Sequence, residues 1–118
     1  MKTIRQLVNR IEKAYQHDIE NDSHPTDEEL EFYGRCNPDS WATVMMVAQT
    51  ENYQCILSKL RKKDVLMDMG AGDLRLALKA TEKCQKVYAV ELCPYTVYRS
   101  LQIIGYSMPP NLIVTCAD

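Results

Sequence analysis

The sequence predicts an α/β fold: a three-stranded parallel sheet in spatial order 3-2-1, preceded by an N-terminal helical segment. Three observations carry this. Apolar residues in the N-terminal half recur at helical spacing. After Lys63 the pattern changes to short apolar runs, Val65–Met69, Val87–Val90 and Leu112–Thr115, separated by helix-like stretches. The first run closes on Gly70-Ala71-Gly72, a tight turn leading into a helix. Strands that alternate with helices pair in parallel, and right-handed crossovers give the order 3-2-1.

The elements follow in chain order. Ile4, Leu7, Val8, Ile11, Ala14, Tyr15 and Ile19 form one stripe, predicting a helix from Lys2 to Asn21. Asp22-Ser23-His24-Pro25 reads as a loop. Thr26 with Glu29 makes a capping box that opens a short helix to Tyr33, ended by Gly34. Asn37-Pro38 reads as the N-cap and first position of a long helix to Arg61, with Trp41, Val44, Met45, Ala48, Cys55, Ile56 and Leu60 on its apolar side. Tyr33 and Trp41 read as core residues, and His17 and His24 as exposed. The basic run Arg61-Lys62-Lys63 suits the C-terminal end of a helix, where the dipole favours cations. Residues 1–62 thus form the helical segment and 63–118 the sheet domain. Within the latter, helices are expected from about Leu74 to Ala80 and from Pro94 to Ile104, with Pro109-Pro110 breaking the chain before the third strand.

Composition narrows the function. With 14 Lys and Arg against 16 Asp and Glu, the net charge is -2, which gives no electrostatic drive toward nucleic acid. No apolar stretch approaches a membrane span, and Met1–Arg10 lacks a signal-peptide core. The five cysteines, Cys36, Cys55, Cys84, Cys93 and Cys116, are odd in number and show no C-x-x-C spacing. This argues against a disulfide framework or a metal site, and predicts free thiols in a reducing cytoplasm.

In such a sheet ligands bind at the carboxyl ends of the strands. Each expected strand has an acid at or near that end: Asp68, Glu91 and Asp118. Gly70 and Gly72 allow a tight bend and close approach of a ligand, and the helix that follows is expected to aim free N–H groups at a carboxylate. Glu91 lies 23 positions after Asp68, where dinucleotide sites hold the acid that binds ribose. A nicotinamide site, however, uses G-x-G-x-x-G, and Arg75 occupies the third glycine's place. Asp68 and Asp73 would also repel a pyrophosphate. A nucleoside with an ammonium and a sulfonium, and no phosphate, fits better: S-adenosylmethionine.

The stretch Val65-Leu66-Met67-Asp68-Met69-Gly70-Ala71-Gly72-Asp73 resembles motif I of the class I (Rossmann-like) methyltransferases. Val87 to Leu92 resembles their second strand, and Val114 to Asp118 the end of their third. The resemblance implies that Asp68, Gly70 and Gly72 hold the methionine end of the cofactor, Glu91 the ribose and Asp118 the adenine, with Ala71 and Leu92 also binding the cofactor. It departs at Leu74, where many members carry a third glycine. A narrower likeness links Glu91-Leu92-Cys93-Pro94-Tyr95-Thr96-Val97-Tyr98-Arg99-Ser100 to E-L-N-P-W-L-V-x-Y-S of small protein-lysine methyltransferases; Cys93, Tyr95 and Arg99 depart from that pattern.

The family's full sheet has seven strands, and the resemblance covers three. The acceptor-side half of the fold is therefore expected to be missing, and no catalytic residue is assigned. The first strand, central in the family, becomes an edge. It is expected to pair with another copy or a partner chain, or to be covered by the N-terminal helices. Three readings follow: a methyltransferase or its cofactor-binding part, a non-catalytic Rossmann-like binding or assembly module, and a nicotinamide-type Rossmann domain.

Overall fold

The computed structural model describes residues 2–21, 26–28, 31 and 50–117. The expected loop at 22–25, Glu29 of the second capping box, the start of the long helix with Trp41, and Asp118 lie outside the described residues. The described chain forms helices α1 (Ile4–Glu20) and α2 (Thr50–Lys59). Then come β1 (Val65–Met69), α3 (Arg75–Ala80), β2 (Lys86–Glu91), α4 (Pro94–Ile103) and β3 (Leu112–Cys116). The sheet is three-stranded with β2 in the middle, all strands parallel. This is the order expected from the sequence.

Helix α1 begins where a capping box allows it. The Thr3 N–H donates to Gln6 Oε1 at 2.8 Å, and the Gln6 N–H donates to Thr3 Oγ1 at 3.2 Å. Two donors that the helix leaves unmade are thereby satisfied. The predicted stripe is the buried one: Leu7, Val8, Ile11 and Tyr15 lie in the core, against α3 and α4. The same interface takes in Asp18, 6% exposed, whose carboxylate lies 3.6 Å from the Arg99 guanidinium of α4.

One face of the sheet belongs to that core and the other does not. Leu66, Val87, Ala89, Leu112 and Val114 pack into it. On the opposite face Val65, Met67 and Met69 are 58%, 60% and 64% exposed, and Ile113 is 39% exposed. The described parts of α1 and α2 do not cover this face. Parallel sheets are normally buried on both sides, so an apolar face in water is an unfinished surface.

Among the described residues no helix is long and apolar enough to cross a membrane. Cys55, Cys84 and Cys116 are free thiols, as expected. Cys93, at the N-cap of α4, is disulfide-bonded, which corrects the reading of every cysteine as a free thiol.

Candidate functional site at the carboxyl edge of the sheet

The turn between β1 and α3 is built from left-handed residues. Gly70 has φ 76°, Gly72 φ 58° and Leu74 φ 71°. Glycine adopts this region freely; leucine does so at a cost on the order of 1–2 kcal/mol. Leu74 is also fully buried, and burying a leucine side chain is worth about 1.5–3 kcal/mol. Burial offsets strain, which accounts for a leucine where the resembling family often places glycine. A Cβ added to Gly70 would meet nothing within 4 Å, so this glycine borders open space.

The turn is fastened to the second strand. The N–H groups of Gly70 and Ala71 both donate to the Val90 carbonyl, at 2.8 and 2.9 Å. The Gly72 N–H donates to Glu91 Oε2 at 2.7 Å, and the Cys93 N–H donates to Glu91 Oε1 at 3.1 Å. Glu91 therefore joins the turn after β1 to the turn after β2. Each carboxylate oxygen still has a lone pair for a further donor such as a ribose hydroxyl. Of the amides at the turn, those of Gly70 and Ala71 are taken by Val90, that of Gly72 by Glu91 and that of Arg75 by Asp73, and α3 has six residues whose first turn is buried.

Asp68 and Glu91 thus come to one edge, with Gly70, Ala71 and Gly72 between them. Ala71 is buried and Leu92 is half exposed. Asp118 lies outside the described residues; β3 leads toward the same edge, the Ala117 N–H donating to the Glu91 carbonyl at 3.1 Å.

The electrostatics of this edge are unbalanced. Burial, then the neighbouring charges of Asp73 and Glu91, hold the Asp68 carboxyl above the usual carboxylate range. Its Oδ2 is buried and has no hydrogen-bond partner. Asp73, 1% exposed, is also raised by burial, but Arg75 offsets this. The Arg75 Nε donates to Asp73 Oδ2 at 2.7 Å and its backbone N–H donates to Oδ1 at 2.9 Å. The guanidinium lies 5.9 Å from the Tyr15 ring and 6.0 Å from the Tyr53 ring, so both N-terminal helices touch the turn through it.

Sequence reasoning missed Arg75 and Tyr53. Arg75 was seen only as a displaced glycine; its position two residues after Asp73 was the available signal. For Tyr53, on α2, nothing in the helical pattern marked it. Among the described residues no cluster of His, Cys, Asp and Glu could hold a metal ion.

An orphaned carboxylate oxygen beside two further acids suits a cationic ligand group, and the space at Gly70 lets its chain approach. These residues fit the amino-acid end of S-adenosylmethionine. They do not fit a pyrophosphate, since the one cation of the turn is buried against Asp73.

No protein-family model matches the chain, and no curated protein matches it. Solved structures do. The YcgJ protein of Bacillus subtilis is similar over 58% of this chain and 30% of its own, at 15% identity and a TM-score of 0.52. Trm5b of Pyrococcus abyssi is similar over 73% of this chain and 23% of its own, at 17% identity and a TM-score of 0.51. Phosphoethanolamine N-methyltransferase 1 of Haemonchus contortus, solved with phosphoethanolamine and S-adenosylhomocysteine, matches 99% of this chain and 22% of its own. Its identity is 15% and its TM-score 0.51. The chain spans less than a third of the length of each of these structures. At such identities the likeness speaks for the fold, and the fold of this chain is part of the class I, Rossmann-like methyltransferase fold.

Proposed function

We propose that the carboxyl edge of the sheet binds S-adenosylmethionine, and that the chain is a methyltransferase or the cofactor-binding part of one. The observation that carries this reading is Asp68. Its Oδ2 is buried without a partner, and Asp73 and Glu91 crowd it with like charge. A cation relieves that crowding and a phosphate worsens it. In this reading Asp68 takes the ammonium, while Gly70, Ala71 and Gly72 shape the bend around the methionine end. Glu91 accepts from the ribose beside Leu92, and Asp118 meets the adenine amino group. The bound cofactor supplies an electrophilic methyl on a positive sulfur; the protein's part is to hold and orient it. Domain roles divide accordingly: residues 63–118 hold the cofactor, and in the segment 1–62 helices α1 and α2 contact its turn through Arg75.

Calorimetry tests this directly. Binding of S-adenosylhomocysteine without competition from NAD is expected; tighter binding of NAD would favour the nicotinamide reading. The acceptor proposed is a protein lysine, on the likeness of residues 91–100 to the small lysine methyltransferases.

The bare sheet face favours a companion role for a second chain. Val65, Met67 and Met69 stand exposed on β1, which pairs with β2 on one side. We propose that another copy or a partner chain joins this strand. A solution mass above the monomer, reduced by Met67→Lys, is expected. A stable monomer, with a mass that Met67→Lys leaves unchanged, would count against it and would leave the cofactor reading intact.

A further inference from the structure

The turn after β2 follows the ribose acid of the proposed site, and a sulfur bond takes part in holding it. Cys93 is the N-cap of α4, with β-region backbone and no hydrogen bond from its side chain to the helix. Good N-caps are Asn, Asp, Ser and Thr, whose side-chain oxygen accepts from an N–H group that the helix leaves unmade. Cys93 stands where the lysine methyltransferase stretch that residues 91–100 resemble has Asn. The side-chain cap is given up here, and the sulfur is disulfide-bonded instead. Cys55, Cys84 and Cys116 are free thiols, and Cys36, the remaining cysteine of the sequence, lies outside the described residues.

The same residue orients Glu91. The Cys93 N–H donates to Oε1 at 3.1 Å while the Gly72 N–H donates to Oε2 at 2.7 Å, so one donor comes from each of the two turns that the carboxylate joins. β3 adds two ties: the Cys116 thiol lies 3.7 Å from the Leu92 carbonyl, and the Ala117 N–H donates to the Glu91 carbonyl at 3.1 Å. These hold the turn to its neighbouring strand. The bond at Cys93 acts one step further on, at the start of α4, on the residue whose amide aims the acid. A cross-link that fixes a loop in its binding conformation raises affinity by lowering the cost of ordering it.

We propose that the disulfide at Cys93 is a redox switch on the cofactor site. Closed, it holds the turn in the conformation that aims Glu91 at the ribose; opened by a dithiol reductant, it releases the turn and lowers affinity. This rests on the S-adenosylmethionine reading and adds regulation to it. In the opening step a thiolate of the dithiol attacks the disulfide, and a mixed disulfide forms as the S–S bond at Cys93 breaks. The second thiol then resolves the mixed disulfide. Each cysteine sulfur ends with one proton, and the dithiol leaves oxidised, as a cyclic disulfide. Exchange with an oxidised dithiol runs the same steps backward and closes the switch.

The test is calorimetry with S-adenosylhomocysteine on the full chain, before and after treatment with dithiothreitol, with thiols counted by alkylation and mass spectrometry. Three alkylated cysteines are expected before reduction and five after. Peptide mapping of the oxidised protein should recover Cys93 joined to Cys36. Reduction is expected to weaken binding about tenfold, on the order of one hydrogen bond to a charged group, and oxidised dithiothreitol should restore it. Two variants separate the switch from a general loss of order. Cys93→Ala removes the bond and supplies no cap, so it should bind like the reduced protein whether or not reductant is present. Cys93→Asn supplies the missing cap and should bind like the oxidised protein under both conditions. Equal affinity before and after reduction overturns the proposal, as does alkylation of all five cysteines without reductant. So does a Cys93→Asn variant that binds no better than Cys93→Ala. Each of these leaves the cofactor reading standing. A protein that binds S-adenosylhomocysteine in neither state sinks that reading and this inference together.

Discussion

Two acids of one turn, Asp68 and Asp73, meet opposite fates. Asp73 faces inward. It is almost wholly buried, bound twice by Arg75, and braced through that guanidinium against Tyr15 and Tyr53. Asp68 sits at the end of β1 with a buried oxygen that no donor reaches. The difference separates structure from ligand chemistry within six residues. A buried carboxylate that serves the fold is neutralised by the fold. One left crowded and unneutralised stores an unfavourable interaction that a cation can relieve, and such sites cluster where ligands bind.

The comparison can be broken most severely at Arg75. Arg75→Met leaves Asp73 buried and unpaired and should cost about 3–5 kcal/mol of stability. The double change with Asp73→Asn should recover much of it. Denaturant midpoints decide this; a small loss in the single variant would mean that Asp73 is not held by charge. Leu74, between the two halves, comes next. Truncation to alanine should cost about 2–5 kcal/mol. Leu74→Gly should cost no more than Leu74→Ala, because glycine relieves the left-handed strain. A glycine variant clearly worse than the alanine one would contradict the strained backbone.

Asp68 should behave in the reverse sense to Asp73. Asp68→Asn is expected to weaken S-adenosylhomocysteine tenfold or more, on the order of a charge-assisted hydrogen bond, yet leave the free protein no less stable. The pH dependence has a definite sign. The folded protein holds the Asp68 proton more tightly than the unfolded chain does, because its pKa is raised. Its contribution to stability is therefore present under acidic conditions and lost as pH rises through the raised pKa. Melting temperatures of the free protein should accordingly show a loss on that rise which Asp68→Asn abolishes. Cofactor affinity should run the other way, strengthening as Asp68 ionises. The smallest expected effect is at Gly70, where Gly70→Ala has room for its methyl but strains a φ of 76°. About 1 kcal/mol of stability should be lost, with a larger effect on binding, since the methyl points into the open space.

The strands were legible because their signal is local. Val65–Met69 matches the expected run residue for residue, and the other two strands agree to within one residue at each end. Helix α1 was equally plain, its stripe from Ile4 to Tyr15 being the buried one. The first capping box, Thr3 with Gln6, was readable but overlooked in favour of Thr26 with Glu29. At the site, the Gly-x-Gly turn and the two acids at strand ends were visible. The engagement of the Gly70, Ala71 and Gly72 amides was not, because it depends on where the Val90 carbonyl and the Glu91 carboxylate arrive from a different strand. Tyr53 was invisible for the same reason, its neighbours Asp68, Asp73 and Arg75 being distant in the chain.

By itself the sequence determined the alternation of strand and helix, the parallel order that chirality imposes on it, and the placing of acids at the carboxyl edge. These follow from periodicity and handedness, which act between residues close along the chain. Only the tertiary structure decided which acid is neutralised, which amides are spent, and which face of the sheet is left bare. Charge and burial depend on distance through space rather than along the chain, so the same letter, aspartate, becomes a strut at 73 and an open charge at 68.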